Sequence, residues 1–244
     1  MSKKLTRKQR NTRVATHNEY VSQSRLSLKE LYPITKTQET MFDFYDDNYS
    51  MAAIGTAGTG KTMCALYLAL DDIINEKNYE RLIIIRTAVQ SRDQGFMPGT
   101  LDEKMSYYEG PYCDIVNELF GKKDAYKQLK DKGVITFMSS SFVRGLTFDN
   151  AIIIFDECQN ANYDELRSII TRVGNNSKII FCGDTKQDDL KAGKNRNDKS
   201  GLGDFLQVLS TIPEFRTVKF NVEDVVRSGL VKAFILAEED VMAA

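Results

Sequence analysis

Gly55-Thr56-Ala57-Gly58-Thr59-Gly60-Lys61-Thr62 fits the phosphate-loop pattern G-x-x-x-x-G-K-[ST] at every fixed position. Glycines let backbone N–H groups close around phosphate oxygens, and the helix that must follow adds the positive end of its dipole. Lys61 would reach the β- and γ-phosphates of a nucleotide, and the Thr62 hydroxyl would ligate Mg²⁺. Far downstream, the most apolar run of the chain, Ala151-Ile152-Ile153-Ile154-Phe155, ends in Asp156-Glu157. An apolar strand closing on an acidic pair is the second half of such a site. Asp156 would hold Mg²⁺ through water, and Glu157 would polarise the water that attacks the γ-phosphate. A further strand end, Gly183-Asp184-Thr185-Lys186-Gln187-Asp188, offers Gln187 as a γ-phosphate sensor. Thr185 to Asp188 is also a variant of the Asn-Lys-x-Asp guanine signature. A GTPase should carry Asp-x-x-Gly after the acidic strand, however, and position 159 is Gln. ATP is therefore the expected nucleotide.

These residues need a scaffold that brings strand ends together. Met51-Ala52-Ala53-Ile54 reads as a buried strand before the loop, and Met63, Leu66, Tyr67 and Leu70 recur at helical spacing after it. Continuous apolar runs at 81–86, 134–138 and 178–182 mark further strands covered on both faces. Val218-Lys219-Phe220 reads as an edge strand. Helices are expected over 37–45, over 111–132, after Asn162 with Glu165 closing a capping box, and at the end with Val226, Leu230, Phe234 and Ala237 toward the core. Residues 87–108 and 185–203 read as long polar loops. Strands alternating with helices predict one α/β P-loop NTPase domain over residues 28–244, with a mainly parallel sheet.

Residues 1–27 read as a flexible basic arm: Lys3, Lys4, Arg7, Lys8, Arg10 and Arg13 face no acidic residue before position 19. The arm is either an electrostatic grip on nucleic-acid phosphates or a solvated tail. The whole chain of 244 residues is 42% hydrophobic with a formal net charge of −1, so its body is mildly acidic. No apolar run approaches the ~18 residues of a membrane span, and the basic start lacks the apolar core of a secretory signal. Cys64, Cys113, Cys158 and Cys182 form no C-x-x-C pair, consistent with small core residues in a reducing, cytoplasmic compartment. His17 is the single histidine, which excludes a histidine-based triad or a histidine-rich metal site.

Taken in order, the motifs resemble the PhoH family. They are Thr35 to Gln38, Gly55 to Thr62, Arg86-Thr87-Ala88-Val89, Gly95-Phe96-Met97-Pro98-Gly99 and Asp156-Glu157-Cys158-Gln159-Asn160. Thr171-Arg172-Val173-Gly174, Gly183 to Gln187 and Asp224-Val225-Val226-Arg227 complete the series. The resemblance covers roughly residues 33–240. It implies a RecA-like, three-layer ATPase domain built like the first motor domain of superfamily 1 helicases. Under it, Gln38 would read the adenine edge, and Arg86 and the Gly95–Gly99 loop would lie near a nucleic-acid strand, single-stranded RNA in first place. It further implies a homo-oligomer, a hexameric ring, in which a neighbour's arginine completes each site. Arg227 is the first candidate for that finger and Arg172 the second, unless Arg227 merely pairs with Glu223 or Asp224. The chain departs from the family at Leu146, where Arg-Gly-Arg-Thr becomes Arg144-Gly145-Leu146-Thr147, and at Ser228, which replaces a histidine.

Two other functions use the same loop. A small-molecule kinase needs an acceptor pocket and an arginine-rich lid, and the 185–203 segment offers only Arg196 among lysines. A nucleotide-dependent assembly protein needs no activating carboxylate, which Glu157 supplies. The reading is Mg²⁺-dependent ATP hydrolysis coupled to binding or remodelling of nucleic acid.

Overall fold

The computed structural model describes residues 26–87, 101–184 and 201–243. The arm up to residue 25, the Gly95–Gly99 segment and Gln187 lie outside the described residues. Six strands form one sheet: β1 (Ser50–Gly55), β2 (Arg81–Arg86), β3 (Ile135–Ser139), β4 (Ala151–Asp156), β5 (Lys178–Gly183) and β6 (Phe215–Phe220). Their order is β3-β2-β4-β5-β1-β6, and every pairing is parallel. This is the α/β fold of P-loop NTPases.

The strands are apolar throughout because both of their faces are covered, and the side-chain period of two sorts their residues between two cores. Met51, Ala53, Leu82, Ile84, Ile152, Ile154, Ile180 and Cys182 face one layer of helices. That layer comprises α1 (Lys36–Asp46), α2 (Lys61–Ile74), α3 (Leu101–Phe120) and α4 (Ala125–Asp131). Ala52, Ile54, Ile83, Ile85, Ile153, Phe155, Ile179 and Phe181 face α5 (Tyr163–Ile170) and α6 (Leu202–Leu209) on the other side. The last helix is α7 (Gly229–Ala243). Cys158 and Cys182 are fully buried, as their positions predict.

Capping follows the sequence where the sequence is explicit. Thr35 caps α1 through its side chain, and Asn162 with Glu165 forms the expected capping box of α5.

Four expectations are corrected. The loop expected over 87–108 gives way to helix from Leu101, and Pro111 lies inside that helix. Proline removes one backbone donor, but Tyr112, Val116, Leu119 and Phe120 beyond it are anchored in the core and carry the helix through. The helix expected over 111–132 is two helices. Gly121 (φ 62°) ends the first, and the Asn117 side chain accepts the Tyr126 N–H at the start of the second. Helix begins at Leu202, within the loop expected over 185–203, because Leu202, Phe205 and Leu209 recur at helical spacing and pack into the second core. In the last helix Val226 precedes the first turn, while Leu230 and Phe234 are 83% and 65% exposed rather than core-facing. Among the described residues no element covers them.

At the edge opposite the strand ends, a charge is buried under the sheet. Lys178, only 3% exposed, donates to the Tyr45 carbonyl at 2.9 Å with its ammonium 3.5 Å from the Tyr45 ring centroid. The Tyr45 hydroxyl in turn donates to Asp72, which also accepts from Asn78. Removing a buried, hydrogen-bonded charge leaves its acceptors unpaired. Lys178→Ala is expected to lower unfolding stability by about 3 kcal/mol in urea titration. The exposed Lys127→Ala should change it by less than about 0.5 kcal/mol.

Candidate functional site

Parallel pairing gathers the C-terminal ends of all six strands at one edge, and the phosphate loop leaves from β1 in the interior of the sheet. Gly55 starts the loop at φ 134°, and a Cβ there would lie 1.8 Å from the Phe220 carbonyl oxygen. Only glycine fits. Phe220 O accepts the Thr56 N–H at 3.2 Å, and the Thr59 hydroxyl donates to Thr56 O at 3.0 Å, so the loop is braced by its own hydrogen bonds.

Lys61 is 8% exposed and folded onto that loop. Its ammonium donates to Gly55 O (2.8 Å), Thr56 O (2.6 Å) and Thr59 Oγ1 (3.3 Å). Burial pushes the ammonium below the usual lysine range, while Asp184, Asp156 and Glu157 act in the opposite sense. A desolvated cation hydrogen-bonded to neutral oxygens is well suited to exchange them for phosphate oxygens.

The two halves of the motif meet. Thr62 Oγ1 donates to Asp156 Oδ1 at 3.0 Å across a sequence separation of 94 residues. A hydroxyl and a carboxylate side by side are the hard oxygen donors Mg²⁺ takes, alongside substrate phosphates. Thr62 and Asp156 would hold such an ion, which would supply charge neutralisation at the phosphates. The second Asp156 oxygen accepts from Tyr112 OH at 2.9 Å. Burial first, then the Glu157 charge, push the Asp156 carboxyl above the ordinary range. The two hydrogen bonds and the Arg86 guanidinium act against that rise.

Glu157 adopts the left-handed conformation (φ 53°), which turns the chain sharply after the strand. Its Oε2 accepts from Gln159 Nε2 at 2.6 Å, and Gln159 Oε1 accepts the Asp184 N–H at 3.0 Å. Gln159 is 1% exposed and so bridges the acidic pair to the end of β5.

Four further residues take definite places. Gln38 is 3% exposed; its Nε2 donates to Thr59 O at 3.0 Å and its Oε1 accepts the Ile34 N–H at 2.8 Å. As placed, its amide clamps the loop to the chain preceding α1. Arg86, expected near a nucleic-acid strand, stands in register with Asp156 on the neighbouring strand, with its guanidinium 5.4 Å from the Tyr108 ring centroid. Arg172 donates to Ser168 O and Leu146 O at 3.3 and 3.4 Å, local contacts that tie α5 to the preceding loop. Arg227, the first candidate for a finger, has its side-chain stem against Gly58 of its own loop. The reason is topological: β6 pairs with β1, so the segment leaving β6 runs alongside the loop leaving β1.

Two features of the site have no counterpart in the expectations from sequence, Tyr112 and the bridging role of Gln159. Tyr112 carries no motif and reads as an ordinary aromatic of a helix. Gln159 stands in a motif but has a function only once β5 lies beside it.

A family model described as PhoH-like protein matches residues 30–239. The PhoH-like protein of Mycobacterium leprae (strain TN) is 34% identical over 208 residues, covering 85% of this chain and 58% of that protein. That of Bacillus subtilis (strain 168) is 36% identical over 185 residues, covering 75% and 56%. Protein PhoH of Escherichia coli (strain K12) is 34% identical over 180 residues, covering 73% and 49%. The chain thus spans about half the length of these relatives. Among solved structures, the large terminase of a thermophilic bacteriophage in complex with ADP aligns with a TM-score of 0.46 and 13% identity. The alignment covers 83% of this chain and 49% of that one. The UvsW helicase of bacteriophage T4 aligns with a TM-score of 0.45 and 18% identity, covering 90% and 68%.

Tyr112→Phe removes one hydrogen bond to a buried carboxylate and little else. The Mg²⁺ concentration needed for half-maximal nucleotide binding should rise about tenfold. Losing that donor pushes the Asp156 carboxyl further up, so the deficit should deepen as pH falls. A Mg²⁺ titration at two pH values checks both effects.

Proposed function

The chain belongs to the PhoH-like protein family, and on that footing we propose that it hydrolyses ATP with Mg²⁺ and couples hydrolysis to binding or remodelling of nucleic acid. Single-stranded RNA is the first candidate partner. The observation that carries the reading is the Thr62–Asp156 hydrogen bond, which joins the phosphate loop to the acidic strand end. Glu157 follows immediately, where an activating carboxylate is needed.

The chemistry divides among residues already placed. Lys61 leaves its carbonyl partners for the β- and γ-phosphates. Thr62 and Asp156 would hold the cation, which would supply charge neutralisation at the phosphates. Glu157, steadied by Gln159, orients and polarises the attacking water. Gln187 is proposed as the γ-phosphate sensor. The basic arm and the Gly95–Gly99 segment are proposed to meet the nucleic-acid backbone, and Gln38 to use the remaining N–H of its amide on adenine. Assembly into a closed homo-oligomeric ring belongs to the same proposal, on the strength of the family resemblance.

Phosphate release from ATP and GTP with Mg²⁺, measured with and without single-stranded RNA or DNA, tests the reading. ATP turnover stimulated by RNA is expected. Lys61→Ala should abolish it, and Glu157→Gln should reduce it by about 10²–10⁴-fold while nucleotide still binds. Turnover indifferent to every nucleic acid would overturn the coupling, and no turnover at all would overturn the ATPase.

A further inference from the structure

The segment after β6 is built as a strap over the phosphate loop. Asn221 starts it with a closed pair of hydrogen bonds: its side chain accepts the Glu223 N–H at 2.8 Å, and its own N–H reaches Asp224 Oδ2 at 3.0 Å. Asp224 and Val225 are each 5% exposed, so the turn is fixed in the protein rather than hung from it. Lys232 reaches back from α7 to the Glu223 carbonyl at 3.2 Å. The next contact is with the loop itself: the Val226 N–H donates to Gly58 O at 3.1 Å.

Arg227 follows one residue later, and its stem lies on the loop. A Cβ added to Gly58 would be 2.8 Å from Arg227 Cγ and 3.7 Å from its Nε. Any side chain at position 58 would displace the arginine, so the glycine makes room for a cation as well as for phosphate. Val226 approaches Gly60 from the same strap, where an added Cβ would also meet Gln38. The neighbouring acids do not claim the guanidinium. Asp224 is engaged with Asn221, and among the described residues Arg227 has no hydrogen-bond or ion-pair partner.

We propose that Arg227 belongs to the nucleotide site of its own chain, where its guanidinium pairs with the polyphosphate bound by Gly55–Thr62. A planar guanidinium offers a fork of donors matched to phosphate oxygens, and its stem is already positioned by the strap. The inference rests on the ATP-binding reading above and deepens it: the arginine acts in cis, and a neighbouring copy is not needed to supply it.

The test uses the full chain and a fluorescent ATP analogue carrying its label on the ribose. Arg227→Met keeps the stem that covers Gly58 and removes only the charge. It is expected to weaken binding about tenfold or more. Arg227→Lys should recover part of the loss, and thermal unfolding without nucleotide should stay at the wild-type temperature. The second arm adds excess Lys61→Ala chain, which lacks its own phosphate-binding lysine but carries an intact Arg227. If the arginine acts in cis, this chain restores nothing to the Arg227→Met sites. Restoration by the added chain would overturn the inference in favour of a neighbour's arginine, and wild-type affinity in Arg227→Met would overturn it outright. Absence of binding in the wild type would instead defeat the ATP-binding reading on which it stands.

Discussion

Parallel pairing of β1 with both β5 and β6 is the constraint on which the rest depends. It sets Gly55 opposite Phe220 and Ile54 opposite Gly183, so the phosphate loop emerges between two other strand ends. The same arrangement places Arg86 opposite Asp156 on the other half of the sheet. An antiparallel strand at any of these places would send one of those ends to the far edge. Residues distant in sequence therefore meet without long side chains reaching for one another, and the site is made largely of backbone and short polar groups. That is why Gly55 tolerates no Cβ: its neighbour is a fixed carbonyl on the adjoining strand, not a side chain able to move.

Within that frame the charges are held away from water, and their partners decide their state. Lys61 and Asp156 are both buried, and burial shifts each toward its neutral form. What restrains the shift differs. Asp156 has fixed donors in Tyr112 and Thr62, while among the described residues Lys61 is hydrogen-bonded to oxygens of its own loop, with carboxylates acting from farther off. The carboxylate is held by two side-chain donors, whereas the ammonium has the most to gain from an anion. An asymmetry of this kind favours phosphate at the loop without requiring the acidic side to rearrange.

Much of this is legible in the sequence because the relevant residues declare themselves locally. Ala151 to Phe155 can only be a strand covered on both faces, and Gly55 to Thr62 has one familiar use. Asn162 and Glu165 mark a helix start whatever surrounds them. The rest depends on neighbours that sequence spacing does not reveal. The helix expected to begin at 111 begins at Leu101, because the core contacts of Tyr112, Val116 and Leu119 outweigh the one donor missing at Pro111. Leu230 and Phe234 have helical spacing, but spacing states only that a face is apolar, and this one is exposed. The sequence names Arg227 as a candidate without showing what it lies against. Its position follows from β6 pairing with β1, a fact of topology that no local pattern carries.

The same topology bears on how a nucleic-acid signal would reach the phosphate site. The connection from β2 to α3 contains the Gly95–Gly99 motif, and both of its flanks are tied to one carboxylate. Arg86, at the end of β2, stands in register with Asp156 and moderates its charge. Tyr112, on α3, donates to the other side of the same group, with its ring packed 5.5 Å from that of Phe137 on β3. Arg86 also lies over Tyr108, one turn before Tyr112 on the same helix, so the two flanks touch each other as well. A partner that displaced α3 itself would have to move it against a close-packed core or break a hydrogen bond to a buried charge. Either route changes the environment of the carboxylate proposed to hold the cation. The proposed coupling would therefore run through Arg86 and Tyr112, the two residues flanking that connection that set the state of Asp156.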